Sequence, residues 1–171
     1  MNRIVVNTGD DSHVWLRPAE ESDTYTFLAW RNDPWIVAKG KTQSTVEETE
    51  HVTWFKNALA EANRLTFVTV IDGEEAGAVF FRRSQGEATI SLYLLRPFTG
   101  RGHGPCIIRD ACQHAFETWP GVNGITAEVL SNNPPSLRAF SRLGFQLTET
   151  TADDTSIFKL PRGSTDPTSS I

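Results

Sequence analysis

The 171-residue chain contains only two cysteines, one methionine and four histidines. Cys106 and Cys112 cannot form a disulfide framework, and they lack the C-x-x-C spacing of zinc and redox motifs. We expect both to be small, partly buried hydrophobic residues. The histidines show no spacing typical of metal ligands either, so the sequence predicts no metal site.

The sequence also lacks a long apolar run. No stretch approaches the ~20 residues that a membrane-spanning helix needs, and Met1-Asn2-Arg3-Ile4 leads into no apolar signal-peptide core. The formal net charge of −5 argues against a protein that coats nucleic acid, because such a protein needs a basic face. We therefore expect a cytoplasmic protein that binds neither membrane nor nucleic acid.

What is present is typical of one globular domain. Hydrophobic residues make up 39% of the chain and charged residues 22%, and 171 residues suit a single domain. Residues 162–171 are mostly small and polar, with few apolar anchors. We predict one domain over residues 1–161 and a disordered C-terminal tail over residues 162–171.

Hydrophobic periodicity and turn residues predict alternating strands and helices. The predicted strands are Val14–Arg17, Leu65–Ile71, Ala76–Arg82, Glu87–Leu95, Ile125–Val129, Gln146–Thr150 and Thr155–Leu160. The predicted helices are Glu20–Arg31, Ser44 to about Ala62, a strongly patterned helix through Phe116, and Pro134–Leu143. The order β-α-α-β-β-β-α-β-α-β-β predicts an α/β (α+β) fold, with a mixed, mostly antiparallel central sheet flanked by helices on both faces.

Local signals define the ends of these helices. Asn32-Asp33-Pro34 is expected to stop the first helix, because the residue before proline avoids the helical region. Ser44-Thr45-Val46-Glu47 has the pattern of a capping box, in which the side chains of Ser44 and Glu47 bind each other's backbone N–H groups. We therefore expect the second helix to begin there. Gly144 is predicted to end the last helix.

The segment with the clearest chemistry leads into the strongly patterned helix. In Gly100-Arg101-Gly102-His103-Gly104, three glycines at alternate positions allow the backbone N–H groups to turn toward one point. The helix that follows leaves its first N–H groups unpaired and carries a partial positive charge there. The sequence therefore predicts a site for phosphate or pyrophosphate, to which Arg101 and His103 can add charge or hydrogen bonds.

Two well-known glycine-rich phosphate motifs do not fit this loop. A P-loop is excluded because no Gly-Lys-Ser/Thr follows the glycines. A Rossmann dinucleotide site does not fit the spacing or the position after antiparallel-looking strands. A tight turn with a purely structural role stays open from the loop alone.

A second motif supports the anion-binding interpretation. The stretch Ala127–Phe145 contains a strand, Asn133 at a turn, a short helix with Ser136, and a Gly-Phe stop. Together with the glycine loop upstream, it resembles the GNAT superfamily of acyl-CoA-dependent N-acetyltransferases, over roughly residues 14–160. The resemblance implies a single GNAT-like domain that uses acetyl-CoA as acyl donor.

The resemblance also implies how acetyl-CoA binds. The superfamily's loop pattern, Arg/Gln-x-x-Gly-x-Gly/Ala, falls on Thr99, Gly102 and Gly104, so the first position departs from it. Backbone N–H groups of the loop are implied to hold the pyrophosphate, and the strand before the loop to pair with the pantetheine arm. The implied cofactor-binding residues are Leu94, Leu95, Gly100, Arg101, Gly102, His103, Gly104, Asn133 and Ser136.

Two carboxylates are candidates for the catalytic base, because acetyl transfer to an amine requires removal of the ammonium proton. In the ribosomal-protein alanine acetyltransferases, which this stretch resembles, a Glu at the position of Glu128 is the base. Glu87, near the position used by another branch, is the second candidate, and either can instead be a surface residue. Phe140 stands where many members have a Tyr, so water, Ser141 or Tyr93 protonates the thiolate, or it leaves unassisted.

The two N-terminal helices are implied to line the acceptor site. Their sequence resembles N-acetyltransferases of nucleotide-linked 4-amino-sugars in the pseudaminic-acid pathway, and more loosely the ribosomal-protein N-terminal acetyltransferases. Trp30 and Trp54 can stack on a sugar or base, Arg31 can bind a phosphate, and His51 can orient an amine. A packed core is the alternative role for both tryptophans. The candidate substrate-binding residues are Trp30, Arg31, His51, Trp54 and Tyr93.

The sequence thus predicts an acetyl-CoA-dependent N-acetyltransferase that acts on a primary amine of a small molecule or peptide. A nucleotide-linked amino sugar is one acceptor that the resemblance suggests, and a protein N-terminus or another small amine is the alternative. A non-catalytic acyl-CoA-binding regulatory domain stays open, because Thr99 and Phe140 depart from the superfamily pattern. The oligomeric state also stays open, with a homodimer as one option.

Overall fold

The computed structural model describes residues 2–164. Its strands are β1 (Ile4–Val6), β2 (Val14–Pro18), β3 (Arg64–Ile71), β4 (Glu74–Ser84), β5 (Glu87–Leu94), β6 (Gly124–Leu130), β7 (Gln146–Thr150) and β8 (Thr155–Pro161). Its α-helices are α1 (Thr24–Arg31), α2 (Pro34–Lys39), α3 (Glu48–Ala60), α4 (His103–Thr118) and α5 (Pro134–Arg142). Across these described residues, no helix is both long and apolar enough to cross a lipid bilayer.

The strands form one sheet in the order β1-β2-β3-β4-β5-β6-β8-β7. Neighbouring strands are antiparallel, except that β5 and β6 run parallel. The predicted mixed, mostly antiparallel sheet flanked by helices is therefore confirmed. The predicted element order agrees as well, except that it missed two short elements, β1 and α2.

Helices cover both faces of the sheet, so there is a hydrophobic core on each face. Strand β3 contributes side chains to both cores. Leu65 and Phe67 belong to the core under α4, whereas Val68 and Val70 pack with the aromatic residues of α1 and α3. Successive side chains of a strand point to opposite faces, so a strand covered on both sides must be apolar throughout. This is why β3 is a nearly continuous apolar run rather than an alternating one.

The predicted capping box at Ser44 is wrong. Helix α3 begins at Glu48, and its N-cap residue Glu47 makes no side-chain capping bond. The reason is a competing tertiary contact: the carboxamide of Asn32 accepts from the N–H of Val46 at 2.7 Å and donates to its carbonyl at 3.0 Å. These two bonds hold the segment extended against the end of α1, so the chain enters α3 one turn later than predicted.

Asn32-Asp33-Pro34 ends α1 at Arg31, as predicted, but it also starts a helix that the prediction missed. The carboxylate of Asp33 accepts from the N–H of Trp35 at 2.8 Å and so caps α2. Pro34 occupies the first helical position, where its missing N–H costs nothing. The same three residues are therefore a stop signal and a start signal.

The predicted helix end at Gly144 is confirmed. Gly144 has φ of 87°, and the N–H groups of Gly144 and Phe145 donate to the carbonyls of Ser141 and Phe140. This is the Schellman arrangement, in which the residue after the glycine packs back on the helix. The rings of Phe145 and Phe140 accordingly lie 4.9 Å apart between centroids.

The predicted tail begins at Arg162, but the structure includes Arg162 in the folded domain. Its guanidinium donates to the carbonyls of Val122, Phe116 and Trp119 at 2.7, 3.2 and 2.9 Å. Two of these carbonyls lie at the end of α4, where a positive charge is favourable. The rest of the predicted tail from residue 165 onward lies outside the described residues.

The feature that matters most for function is a fork between β5 and β6. Their parallel pairing extends only from Glu87–Gly124 to Ile90–Ala127 and then stops. Strand β5 nevertheless stays paired with β4 up to Leu94, and β6 stays paired with β8 up to Leu130. The last part of β5 therefore follows β4 while β6 follows β8, and a gap opens between them.

Close contact between β4 and β5 holds one arm of this fork. Ala76 is an extra residue in β4 relative to β3, and its carbonyl accepts from the N–H of Leu95 at 2.8 Å. Beside it, a Cβ atom on Gly77 would overlap the carbonyl oxygen of Tyr93 and lie 3.0 Å from Cα of Leu94. Only glycine allows this approach of the two backbones.

We predict that Gly77→Ala lowers the free energy of unfolding by about 1–3 kcal/mol, the usual cost of forcing extra atoms into a packed site. Urea unfolding measures the effect. Gly121→Ala is the matched control, because a Cβ atom on Gly121 has no neighbour within 4 Å. Equal stabilities of the two variants would show that β4 and β5 do not require the glycine.

Candidate active site

A groove of about 1160 Å³ passes through the fork. It is lined by the diverging parts of β5 and β6, by the glycine loop at residues 98–105, and by residues of α1, α2, α3 and α5. Helices α4 and α5 lie on one face of the sheet, and α1 and α3 lie on the other. The groove therefore connects the two faces, so that two molecules can reach it from opposite sides.

The backbone of the fork carries polar groups that no strand satisfies. In an antiparallel pair, every second residue directs its N–H and C=O groups to the partner strand. Because Leu95 is hydrogen-bonded to β4, the backbone groups of Leu92 and Leu94 point away from β4 and into the fork. Ser131 is hydrogen-bonded to Asp154, just before β8, so the same alternation turns the N–H and C=O groups of Glu128 and the N–H group of Leu130 into the fork from the other side. The carbonyl of Leu130 accepts from the N–H of Asn133 at 3.0 Å. These two open edges suit an extended ligand that carries amide groups.

The glycine loop has the backbone geometry that an anion site at this position would need. Gly100 and Gly102 have φ of 74° and 81°, the left-handed conformation that favours glycine. A Cβ atom on Gly100, Gly102 or Gly104 would have no neighbour within 4 Å, so the space in front of the loop is open. Gly102 is the N-cap of α4 and has no side chain to bind the first N–H groups. Free donors facing open space fit a pyrophosphate.

The two charged residues of the loop differ in placement. Arg101 is exposed, with its guanidinium carbon 5.6 Å from the ring centroid of Phe98. The side chain of His103 is only 4% exposed, and its Nε2 lies 3.1 Å from Oγ of Ser12. We therefore expect His103 to contribute its backbone N–H rather than side-chain charge.

The remaining residues predicted to bind the cofactor have structural partners of their own. The carboxamide oxygen of Asn133 accepts from the N–H of Ser136 at 3.5 Å and caps α5, and both residues line the groove. Leu94 lines the groove, whereas the N–H of Leu95 is already bonded to β4. Of the two leucines, only Leu94 offers free backbone groups to a ligand.

The two candidate bases lie at opposite ends of the fork region. Glu128 is the first residue of β6 beyond the last parallel pair, its side chain is half exposed, and it lines the groove. Glu87 is at the start of β5, about 23 Å of strand away from Leu94 at ~3.3 Å per residue. It forms an ion pair with Lys159 and does not line the groove. Only Glu128 is placed near the fork.

Among the candidate acceptor residues, Trp30 and His51 are buried, whereas Trp54 is exposed. Trp30 is 9% exposed and packs against Phe27, with ring centroids 5.5 Å apart. His51 is 2% exposed and donates from Nε2 to the carbonyl of Thr24 at 2.9 Å, which supports α1 rather than a ligand. Trp54 is 40% exposed and lines the groove, so its indole ring is available to an acceptor.

Arg31 and Tyr93 both line the groove on the side of α1. The guanidinium of Arg31 lies 3.3 Å from the carbonyl of Ser44. Burial raises the pKa of Tyr93 well above its usual value, and the charge of Arg31 offsets only part of that effect. Tyr93 therefore keeps its proton and remains a hydroxyl donor inside the groove.

Several groove residues were missed by sequence reasoning. Helix α2 contributes Trp35 and Lys39, with Nζ of Lys39 4.3 Å from the indole centroid, and the Asp-Pro cap was the signal for this helix. Arg138 and Arg142 line the groove from one face of α5, which their spacing of four residues indicated. Lys41, on the loop between α2 and α3, had no sequence signal.

The charge of the groove is the opposite of the charge of the chain. Its acidic lining residues are Glu50 and Glu128, whereas its basic ones are Arg31, Lys39, Lys41, Arg64, Arg82, Arg101, Arg138 and Arg142. The groove lining is thus mostly basic. Within residues 2–164, histidine, cysteine and carboxylate side chains form no cluster that could hold a metal ion.

Solved structures with the same fold include several acetyltransferases. The aminoglycoside acetyltransferase AAC(6')-Ib, in complex with ribostamycin and coenzyme A, is 20% identical with a TM-score of 0.78, over 92% of this chain and 98% of that one. The RimL ribosomal L7/L12 alpha-N-protein acetyltransferase with coenzyme A is 17% identical with a TM-score of 0.76, over 94% and 98%. Spermidine N-acetyltransferase from Vibrio cholerae, with CoA and spermine, is 15% identical with a TM-score of 0.79, over 89% and 97%.

We predict that Gly102→Glu abolishes binding of acetyl-CoA, because the new carboxylate enters the open space before the loop and repels the pyrophosphate. Isothermal titration calorimetry on the folded variant measures the loss. Gly102→Asn is the matched control, since Asn tolerates the left-handed conformation and adds no charge. If Gly102→Glu kept wild-type affinity, the loop would not be the pyrophosphate site.

Among curated proteins, the sequence has no match. A family model does match it. Residues 13–146, which span the sheet from before β2 to the start of β7, match the family model described as acetyltransferase (GNAT) domain. This chain belongs to the GNAT family of acetyl-CoA-dependent N-acetyltransferases.

Proposed function

We propose that this enzyme acetylates a primary amine that enters the fork from the side of α1 and α3, with Glu128 as general base. The observation that carries the proposal is the position of Glu128, where the parallel pairing ends and the groove connects the two faces. Alternation along β6 turns Ala127 and Val129 into the core under α4, so the side chain of Glu128 points to the other face. It is therefore on the side from which the amine arrives.

The donor half of the site is built from backbone groups. The N–H groups around Gly102 and at the start of α4 would hold the pyrophosphate, and Arg101 adds charge from the rim. The open edges at Leu92, Leu94 and Leu130 suit the two amides of a pantetheine arm. When bound, acetyl-CoA supplies an activated acetyl thioester at the fork. A backbone N–H of β5 is then the donor available to its carbonyl oxygen.

The acceptor half must produce an uncharged amine. Glu128 accepts a proton from the ammonium group, either directly or through one water molecule. Nitrogen then bonds to the acetyl carbon, the C–S bond breaks, and CoA leaves as thiolate, which takes up the second proton that the nitrogen loses as the amide forms. Phe140 carries no proton to donate and packs against Phe145 and Phe158. Tyr93 lines the groove and keeps its proton, so its hydroxyl is a hydrogen-bond donor that can stabilise the thiolate.

We infer that the acceptor carries an anionic group beside its amine, and a nucleotide-linked amino sugar is the form we favour. Arg64 on β3 and Arg82 on β4 are cross-strand partners, and both line the groove together with the exposed ring of Trp54. Arg64 is paired with Glu61 at 2.8 Å, so Arg82 is the guanidinium we assign to the anionic group. Arg82 is two strands away from Thr126 across β5, and Glu128 lies two residues beyond Thr126 on β6. At the usual strand and residue spacings, this places Arg82 about 12 Å from Glu128. That span suits an amine at one end of a sugar and a phosphate at the other.

A polyamine fits this lining poorly. Its several positive charges would meet an acceptor side with five basic residues, Arg31, Lys39, Lys41, Arg64 and Arg82, and few carboxylates. Spermine is the ligand named with the Vibrio cholerae enzyme, and a protein N-terminus is the acceptor named for RimL. Both are therefore comparison substrates rather than our favoured acceptors.

We predict that a UDP-linked 4-amino-sugar is turned over with kcat/KM about tenfold or more above that of spermidine or an N-terminal peptide. One charge-assisted hydrogen bond to phosphate contributes about 1.5–3 kcal/mol, which is sufficient for that ratio. Release of free CoA thiol measures the rates, with enzyme-free mixtures as the blank. Turnover of only the peptide or the polyamine would contradict the anionic acceptor and leave acetyl transfer itself in place.

We also predict that Glu128→Gln lowers kcat about 100-fold or more at neutral pH, within the usual contribution of a general base, with little change in affinity for acetyl-CoA. The loss should shrink as the pH rises, because more acceptor amine is then already uncharged. Glu87→Gln is the matched control, because Glu87 lies outside the groove. If the Glu128 variant retained the wild-type rate at saturating amine and neutral pH, Glu128 would not be the base.

A further inference from the structure

An amine of the chain itself already lies next to the proposed base. Nζ of Lys41 is 3.8 Å from Oε2 of Glu128 and 4.0 Å from Oδ2 of Asp153. Lys41 lines the groove, and its side chain is 55% exposed. It is thus an ammonium group at the position where the ammonium of an acceptor would have to lie.

The residues that follow Lys41 hold its loop to α1 and α2. The hydroxyl of Thr42 accepts from the guanidinium of Arg31 at 3.5 Å, and the carboxamide of Gln43 donates to the carbonyl of Ala38 at 3.4 Å. Val46 is bound by the carboxamide of Asn32 through two hydrogen bonds, and the carbonyl of Ser44 is 3.3 Å from the guanidinium of Arg31. Lys41 itself reaches away from these contacts to β6 and to the turn between β7 and β8. Ion pairs between exposed side chains are weak, so its ammonium group can leave Glu128 and move within the groove.

We propose that Lys41 is a self-acetylation site, modified within the same molecule by the active site that it borders. This inference rests on the proposed function, because it uses Glu128 as the base and acetyl-CoA at the fork. Glu128 takes one proton from the ammonium group of Lys41, and the free Nζ bonds to the acetyl carbon. The C–S bond breaks, and CoA leaves as thiolate, which takes up the second proton that Nζ loses as the amide forms and becomes the thiol. The product is Nε-acetyl-Lys41.

The placement of the other lysines makes Lys41 the selective target. The chain has four lysines, Lys39, Lys41, Lys56 and Lys159. Lys39 lies over the indole of Trp35, and Lys159 is paired with Glu87 outside the groove. Lys56 is exposed on α3 and does not line the groove. Tethering an amine beside the reacting group also raises its effective concentration, which favours reaction at Lys41 over the others.

Acetylation would change the groove as well as the lysine. The amide product has no charge, so it loses its ion pairs with Glu128 and Asp153. Glu128 then faces the acceptor without a competing ammonium group. Self-acetylation is therefore expected to prime the enzyme, and an unmodified Lys41 competes with the acceptor for its base.

The test is incubation of the folded enzyme with acetyl-CoA and no acceptor, followed by peptide mass spectrometry over time. We expect the mass of one acetyl group on the peptide that contains Lys41, at least tenfold faster than on the other three lysines. The rate should not change on dilution of the enzyme, because the reaction is intramolecular. Glu128→Gln should slow it strongly, and Lys56→Arg, the matched control, should not.

Equal labelling of all four lysines, or equal labelling of Lys41 in the Glu128→Gln variant, would overturn the proposal, because both indicate uncatalysed acetylation. A labelling rate proportional to enzyme concentration would also overturn it. Acceptor turnover with Lys41 left unmodified would remove self-acetylation but keep the proposed function. If acetyl-CoA binds and neither acceptors nor Lys41 are acetylated, both proposals fail.

Discussion

Strand β5 cannot follow both of its neighbours to the end, and the active site depends on which one it follows. The extra residue Ala76 and the side-chain-free Gly77 bind the end of β5 to β4. Strand β6 meanwhile remains paired with β8. The unpaired backbone groups between them would be costly if sealed from water, so a fork of this kind is stable only where it is open to water or a ligand. The groove is that opening.

The net charge of the chain does not reveal the positive charge on the two sides of the fork. The chain as a whole is acidic, whereas the groove residues are mostly basic. On the face of α4 and α5, positive character comes from the backbone N–H groups at the start of α4 and from Arg101, Arg138 and Arg142. Under the proposed function, these groups hold the pyrophosphate without a basic or amide side chain at Thr99. On the acceptor side, the positive character comes from side chains, so it can set specificity.

Features that depend only on residues near one another in the chain could be predicted from the sequence. The stripe of α4 and the Gly144 helix end follow from periodicity and from one backbone conformation. The capping box failed because Asn32, fourteen residues before Val46, binds the backbone of that segment instead. Trp30 and Trp54 could not be distinguished by helical spacing, since only the packing of α1 against α3 buries one and exposes the other. The position of Lys41 beside Glu128 could not be predicted, because it depends on the tertiary placement of the loop between α2 and α3.

The carboxamide of Asn32 has a consequence for how this enzyme can be altered. By binding both backbone groups of Val46, it joins the end of α1 to the segment that leads into α3. Residues 33–45, which contain α2 and the loop after it, lie between these two anchor points. This segment contributes Trp35, Lys39 and Lys41 to the groove, whereas Arg64, Arg82 and Trp54 belong to β3, β4 and α3. Under the proposed function, exchange of the segment is therefore expected to change how the amine end of the acceptor is held, while the site for its anionic group stays with the sheet and α3.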